Sequence, residues 1–167
     1  MSERPAARFL KPGELLAIDP TKIRRGPDGF FWLWSPPVKN NERIEDVAIV
    51  HVRGPLEHHE DPWGADSYEA ILNRIEDAFT GQDACDQHER EHQWDDDYEA
   101  MDATPPAAVI LAIDSPGGVV AGLNEAFRAI QRLKAKHGIP LIAYANEMAA
   151  SAAYEIACSC NEVYCPR

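Results

Sequence analysis

The stretch AAVILAIDSPGG, residues 107–118, decides the fold reading of this chain. Ala107 to Ile113 is continuously apolar and of strand length, the pattern of a strand covered on both faces in a parallel sheet. Ser115-Pro116-Gly117-Gly118 then stops the run: proline fixes one φ, and two glycines let the backbone turn with its N–H groups free of side-chain cover. A helix follows. From Val119 the apolar residues Leu123, Ala126, Phe127, Ile130 and Leu133 share one helical face, while Arg132, Lys134, Lys136 and His137 gather before Gly138, where the helix dipole favours cations.

The same alternation extends outward in both directions. Upstream, DVAIVHVR (Asp46–Arg53) reads as a strand that breaks at Gly54-Pro55. After a loop, Asp66 or Ser67 caps a helix whose buried stripe is Tyr68, Ile71, Leu72, Ile75, Ala78 and Phe79. Downstream, PLIAYA (Pro140–Ala145) is a strand, AASAAYEIAC (Ala149–Cys158) a helix of small residues, and Glu162–Cys165 a last short strand. The order β-α-β-α-β-α-β implies an α/β fold with right-handed crossovers and a largely parallel sheet.

Residues 1–45 form a separate N-terminal extension, because Pro5, Pro12, Pro20, Pro27, Pro36 and Pro37 rule out long regular elements there. Within it GFFWLW (Gly29–Trp34) is aromatic enough for a short strand that docks on the body or on a neighbouring subunit. The body, residues 46–167, carries an acidic insertion at about 81–105.

Composition bounds the function. With 167 residues, 45% hydrophobic and 26% charged, the chain suits one globular domain with a sizeable core. The net charge is -12, and residues 81–105 alone hold nine Asp/Glu against one Arg, a solvated block. This acidity argues against a nucleic-acid partner. The apolar runs stop far short of the roughly 20 residues of a bilayer span, and the polar, Arg- and Pro-containing start does not read as a signal peptide. A cytoplasmic protein with no membrane span is expected.

Cys85, Cys158, Cys160 and Cys165 show no disulfide-framework spacing and read as reduced thiols. Cys85, His88 and His92 recur at offsets of three and four, a ligand-like arrangement. Their acidic context and the missing fourth ligand favour a solvated loop or helix, so no metal and no cofactor is expected.

In open α/β sheets reactive groups gather where strands end and helices begin. Two such junctions stand out. Ser115–Gly118 offers a cradle for an oxyanion, and 33 positions after Gly118, past one helix and one strand, Ser151 opens the next helix within MAASAAY (Met148–Tyr154). Both junctions fall at the same edge of adjacent strands. Ala149, Ala150, Ala152 and Ala153 leave room for a carbonyl to approach Ser151, and a helix N-terminus favours developing negative charge. Taken singly, the Pro-Gly-Gly is a structural turn and Ser151 a plain N-cap or small packing residue. Taken together, catalysis is the better reading.

The segment IDSPGG (Ile113–Gly118), followed by VVAGL (Val119–Leu123), resembles the oxyanion-loop signature of the SppA-like serine peptidases, especially the phage capsid-maturation members. AASAAY (Ala149–Tyr154) resembles their nucleophile motif and VAIVHVRGPL (Val47–Leu56) their entry strand. The resemblance covers about residues 46–167 and implies a ClpP/crotonase-like fold. It also implies acyl transfer to Ser151 Oγ, with the oxyanion held by the backbone N–H of Gly118, of Ala152 and, as a further choice, of Gly117. A peptide or protein substrate, a homo-oligomer, and a setting in phage or prophage head maturation or SppA-like peptide hydrolysis follow from it as well.

In this family the base is a lysine, workable because desolvation lowers its pKa. Relatives place that lysine well downstream of the nucleophile, beyond a Gly-Ser-Ile-Gly-like turn, whereas sixteen residues follow Ser151 here and include neither. The peptidase domain is therefore expected to be C-terminally incomplete. Lys134 and Lys136 lie about 20 Å from the start of their helix at 1.5 Å per residue, and so substitute poorly. A Clp-type protease would need a His and an Asp after the nucleophile, and none follows Ser151. A crotonase-type acyl-CoA enzyme would share the sheet and oxyanion loop without needing Ser151. A non-catalytic assembly module would use Trp32 and Trp34 as an interface strand.

Overall fold

The computed structural model describes residues 41–59, 65–92 and 102–166, and in the N-terminal region the backbone of four short strands. These are β1 (Ala6–Phe9), β2 (Leu16–Ile18), β3 (Ile23–Arg25) and β4 (Phe31–Ser35). The body runs β5 (Glu42–Ile44), β6 (Val47–Glu57), β7 (Asp66–Ser67), α1 (Tyr68–Thr80), α2 (Gln82–His92), β8 (Ala108–Val119), α3 (Leu123–His137), β9 (Leu141–Ala149), α4 (Ala152–Cys158) and β10 (Glu162–Tyr164). Its main sheet has the order β10-β9-β8-β6-β5, with β2 joined to β8 and β7 to β6. The pairs β6/β8, β8/β9 and β9/β10 are parallel, and β5/β6 and β2/β8 antiparallel. The protein is thus α/β with a mostly parallel mixed sheet and alternating strands and helices, as expected. β5 draws the sheet's edge into residues assigned to the extension, through its hairpin with β6.

One face of the sheet carries the core. Ala48, Val50 and Val52 of β6, Val109, Leu111 and Ile113 of β8, and Leu141 and Ala143 of β9 are fully buried against helical side chains such as Phe79, Ile130 and Ile156. Each large side chain so buried stabilises the fold by roughly 1.5–3 kcal/mol. The apolar run of β8 had predicted cover on both faces. Instead burial alternates along it, and Ala108, Ile110 and Ala112 are only half-buried. The opposite face is mixed: Ile49, His51, Arg53, Ala112, Asp114, Tyr144 and Asn146 line a hollow of about 500 Å³. His51 lies there 3.2 Å from both Glu42 and the Arg53 guanidinium.

Of the two caps considered for α1, Ser67 does the work, its hydroxyl accepting from the Ala70 amide at 3.0 Å. Asp66 is instead buried in an ion pair, with Arg74 Nη2 2.8 and 2.7 Å from its two oxygens. Burial raises the Asp66 carboxyl pKa, and Arg74 opposes that rise. The same guanidinium nitrogen donates to the His51 carbonyl at 2.9 Å, tying α1 to β6.

The acidic insertion opens with a helix, α2, on which Cys85 and His88 are half-buried; residues 93–101 and the His92 side chain lie outside the described residues. The aromatic strand of the extension is β4, between β1 and β3. Among the described residues no helix is long and apolar enough to cross a membrane.

Candidate functional site

β8 does not stop where its apolar run stops. The expected turn at Ser115–Gly118 is a continuation of the strand to Val119, because β6 keeps pairing alongside it, Pro55 with Gly117 and Leu56 with Gly118, after a register shift between Arg53 and Pro55. Gly117 takes φ 92 within this kinked strand, a conformation that only glycine adopts cheaply. Gly118 is needed for another reason: a Cβ there would sit 1.8 Å from the Leu56 carbonyl oxygen. The two glycines therefore let two strands close together where both are distorted.

Ser115 locks this distortion. Its buried hydroxyl donates to the Gly54 carbonyl at 2.6 Å and accepts from the Gly117 amide at 3.1 Å. Two residues beyond Gly117, the Val119 carbonyl accepts from the Tyr68 hydroxyl at 2.5 Å. Burial first, then the charges of Glu57 and Glu155, raise the Tyr68 pKa, so the phenol stays a donor. Sequence reasoning missed both positioning contacts. They join residues 61 and 51 apart, and only the serine directly before Pro-Gly-Gly hinted at either.

The expectation that the glycine N–H groups are free of side-chain cover is corrected at Gly117. Gly117 and Gly118 are buried, and the Gly117 amide is engaged with Ser115. On the far edge of the strand β2 lies antiparallel, pairing Ile18 with Gly117, Ala17 with Gly118 and Leu16 with Val119.

Ser151 is the backbone outlier of this region. β9 runs four residues past its predicted end, to Ala149, because its pairing with β8 persists as far as Ser115, and the Ala150 amide donates to the Ser115 carbonyl at 3.1 Å. The helix accordingly begins at Ala152 rather than Ala149. Ser151 is the second of the two residues between, at φ 54 and ψ -120, with its side chain exposed and making no cap hydrogen bond. Only one other described non-glycine residue, Glu45, has positive φ. A side-chain-bearing residue held there carries about 1–3 kcal/mol of strain. The plain N-cap reading of Ser151 does not fit, because a capping serine has extended φ/ψ and accepts from the first turn.

The structure therefore sets the Ala149–Ala150 segment that leads into Ser151 and Ala152 against Ser115, two residues before Gly117. It keeps the two lysines of α3 away. Lys134 Nζ donates to the Ser159 carbonyl at 2.7 Å, at the opposite end of α4 from Ser151, and Lys136 pairs with Glu76 at 2.8 Å. Burial pushes the Cys160 thiol up to about 12, so this half-buried cysteine stays protonated. No protein-family model and no curated protein matches the chain.

Proposed function

We propose that this chain is a serine-type peptidase of the ClpP/crotonase-like fold, resembling the SppA-like enzymes, with Ser151 as nucleophile. The observation that carries the reading is the strained, exposed Ser151 on the strand-to-helix turn beside the Ser115–Gly118 strand. Such a turn projects Oγ away from its own backbone and leaves the next residue's N–H directed at an incoming carbonyl oxygen, as in nucleophile elbows.

In the proposed reaction Ser151 Oγ attacks the peptide carbonyl carbon as its proton passes to a base. The tetrahedral oxyanion is held by the N–H of Ala152 and of Gly118. The C–N bond then breaks, the amine leaves with the proton, and water hydrolyses the acyl-serine ester. Losing one oxyanion donor costs about 10²- to 10³-fold in rate. Gly117 serves as a donor only after its amide leaves the Ser115 hydroxyl. The base is a lysine by resemblance, and the partners of Lys134 and Lys136, Ser159 at the far end of α4 and Glu76 on α1, argue against those two.

The covered far edge of Gly117–Val119 and these remote lysines favour one alternative, a non-catalytic module of the same fold. Labelling with a fluorophosphonate probe, followed by mass mapping, decides between the two. Adduct on Ser151, lost in Ser151→Ala, supports the peptidase. An unlabelled chain, or label on other serines only, overturns it.

A further inference from the structure

The strand pairing around β8 points beyond the identity of the nucleophile. A strand has two edges. β6 holds one edge of β8 along its whole length, from Val47 opposite Ala108 to Leu56 opposite Gly118. β9 holds the other only as far as Ser115 opposite Ala149, then leaves through Ser151 into α4. The edge of Gly117–Val119 that β9 vacates is therefore next to Ser151, and β2 fills it.

An extended polypeptide that presents a carbonyl to Ser151 needs that same edge, because strand addition supplies its main-chain hydrogen bonds and sets its register. β2 has the required direction. It runs antiparallel, so its C-terminal residue, Ile18, lies opposite Gly117, towards Ser115 and the turn, while Leu16 lies opposite Val119. The chain thus approaches Ser151 in the N-to-C sense, as the acyl half of a substrate would. Resting on the peptidase reading above, we propose that Leu16–Ile18 is a resident pseudosubstrate strap. It occupies in cis the strand position of an extended peptide substrate, and substrate binds by displacing it. The strap also accounts for the cover over Gly117 and Gly118 that a preformed oxyanion site would lack.

The test uses the full chain carrying Ser151→Ala, so that binding is read without turnover. The probe is a fluorescein-labelled peptide of residues 12–22, followed by anisotropy. Neighbouring residues of a strand direct their N–H groups to opposite edges, so of Ala17→Pro and Ile18→Pro one removes a hydrogen bond to β8. We expect the peptide to bind at least tenfold more tightly to one of these variants than to the chain with its strap intact. In the intact chain excess peptide should speed hydrogen–deuterium exchange of residues 16–18 and leave 117–119 protected. Equal binding to all three chains, with exchange at 16–18 unchanged, overturns the strap.

Fluorophosphonate labelling of the same variants with Ser151 restored separates this proposal from the one beneath it. Gain of peptide binding with no label on Ser151 keeps the strap and overturns the nucleophile. Label on Ser151 at one rate in all chains, with no peptide binding, does the reverse.

Discussion

Replacing Ser151 by glycine should stabilise this protein, which is the opposite of what loss of a helix cap does. Ser151 sits at φ 54, ψ -120, with no hydrogen bond from its hydroxyl to the first turn of α4. Holding a Cβ there costs about 1–3 kcal/mol. Glycine removes that cost but makes the unfolded chain more flexible, which takes back about 0.4–1 kcal/mol. The net gain is about 1 kcal/mol, or about 2–4 °C in Tm for a chain of this size. Ser151→Ala keeps the Cβ and loses only an exposed hydroxyl that caps nothing, so it should stay within about 0.5 kcal/mol of the parent. The stability order is then glycine above serine and alanine. For an ordinary N-cap it would be serine first, glycine a few tenths lower and alanine lower by ~1 kcal/mol. Urea titration and calorimetry of the three chains read this order directly. A glycine variant less stable than the parent would refute the strain and remove the main support for Ser151 as nucleophile.

Gly118→Ala should destabilise by about 3 kcal/mol, the upper end of the overpacking range, because its Cβ would meet the Leu56 carbonyl oxygen at 1.8 Å and backbone cannot step aside. A melting temperature within 2 °C or so of the parent would contradict the close approach of β6 and β8. Arg74→Met leaves the Asp66 carboxylate buried and unpaired and should cost about 3–5 kcal/mol at neutral pH. Burial already raises Asp66 above its ordinary value, so in that variant the loss should shrink as pH falls towards 4, and adding Asp66→Asn should restore stability. Cys160, its thiol pushed up to about 12, should react with iodoacetamide at pH 8 far more slowly than exposed Cys158 and Cys165, as peptide mapping would show. Comparable rates at all three would mean that Cys160 is not buried as described.

The alternation of strands and helices was legible because it rests on local signals. The apolar runs of β6, β8 and β9, the stripe Tyr68-Ile71-Ile75-Ala78-Phe79 and the basic last turn of α3 each declare themselves within a few residues. Boundaries decided by pairing were not legible. Pro116-Gly117-Gly118 looks like a stop, yet it remains strand because β6 continues beside it. Ala149 suits a helix by propensity, yet it is strand because Ser115 pairs with it. β2 is three residues long and shows no periodicity, so nothing local marks it as the neighbour of residues about a hundred positions on. The position of Ser151 at a strand-to-helix junction was legible; its backbone conformation was not, because it follows from where β9 is forced to leave.

That departure links the features of this region. β8 ends beside one partner that keeps pace with it and another that leaves early. β6 keeps pairing through a bulge at Gly54, which Ser115 staples, and the resulting crowding at Leu56 admits only glycine at 118. β9 turns off at once, with two residues between strand and helix, and the second of them, Ser151, takes the strain. An edge is thereby opened directly beside the strained serine. An open edge in a mostly parallel sheet invites a further strand, and β2 meets that need from within the chain. A protein using this fold only as a scaffold gains nothing from a strained serine facing an edge filled by so short a strand. A peptidase gains an exposed nucleophile and a substrate track that stays covered until a better strand arrives.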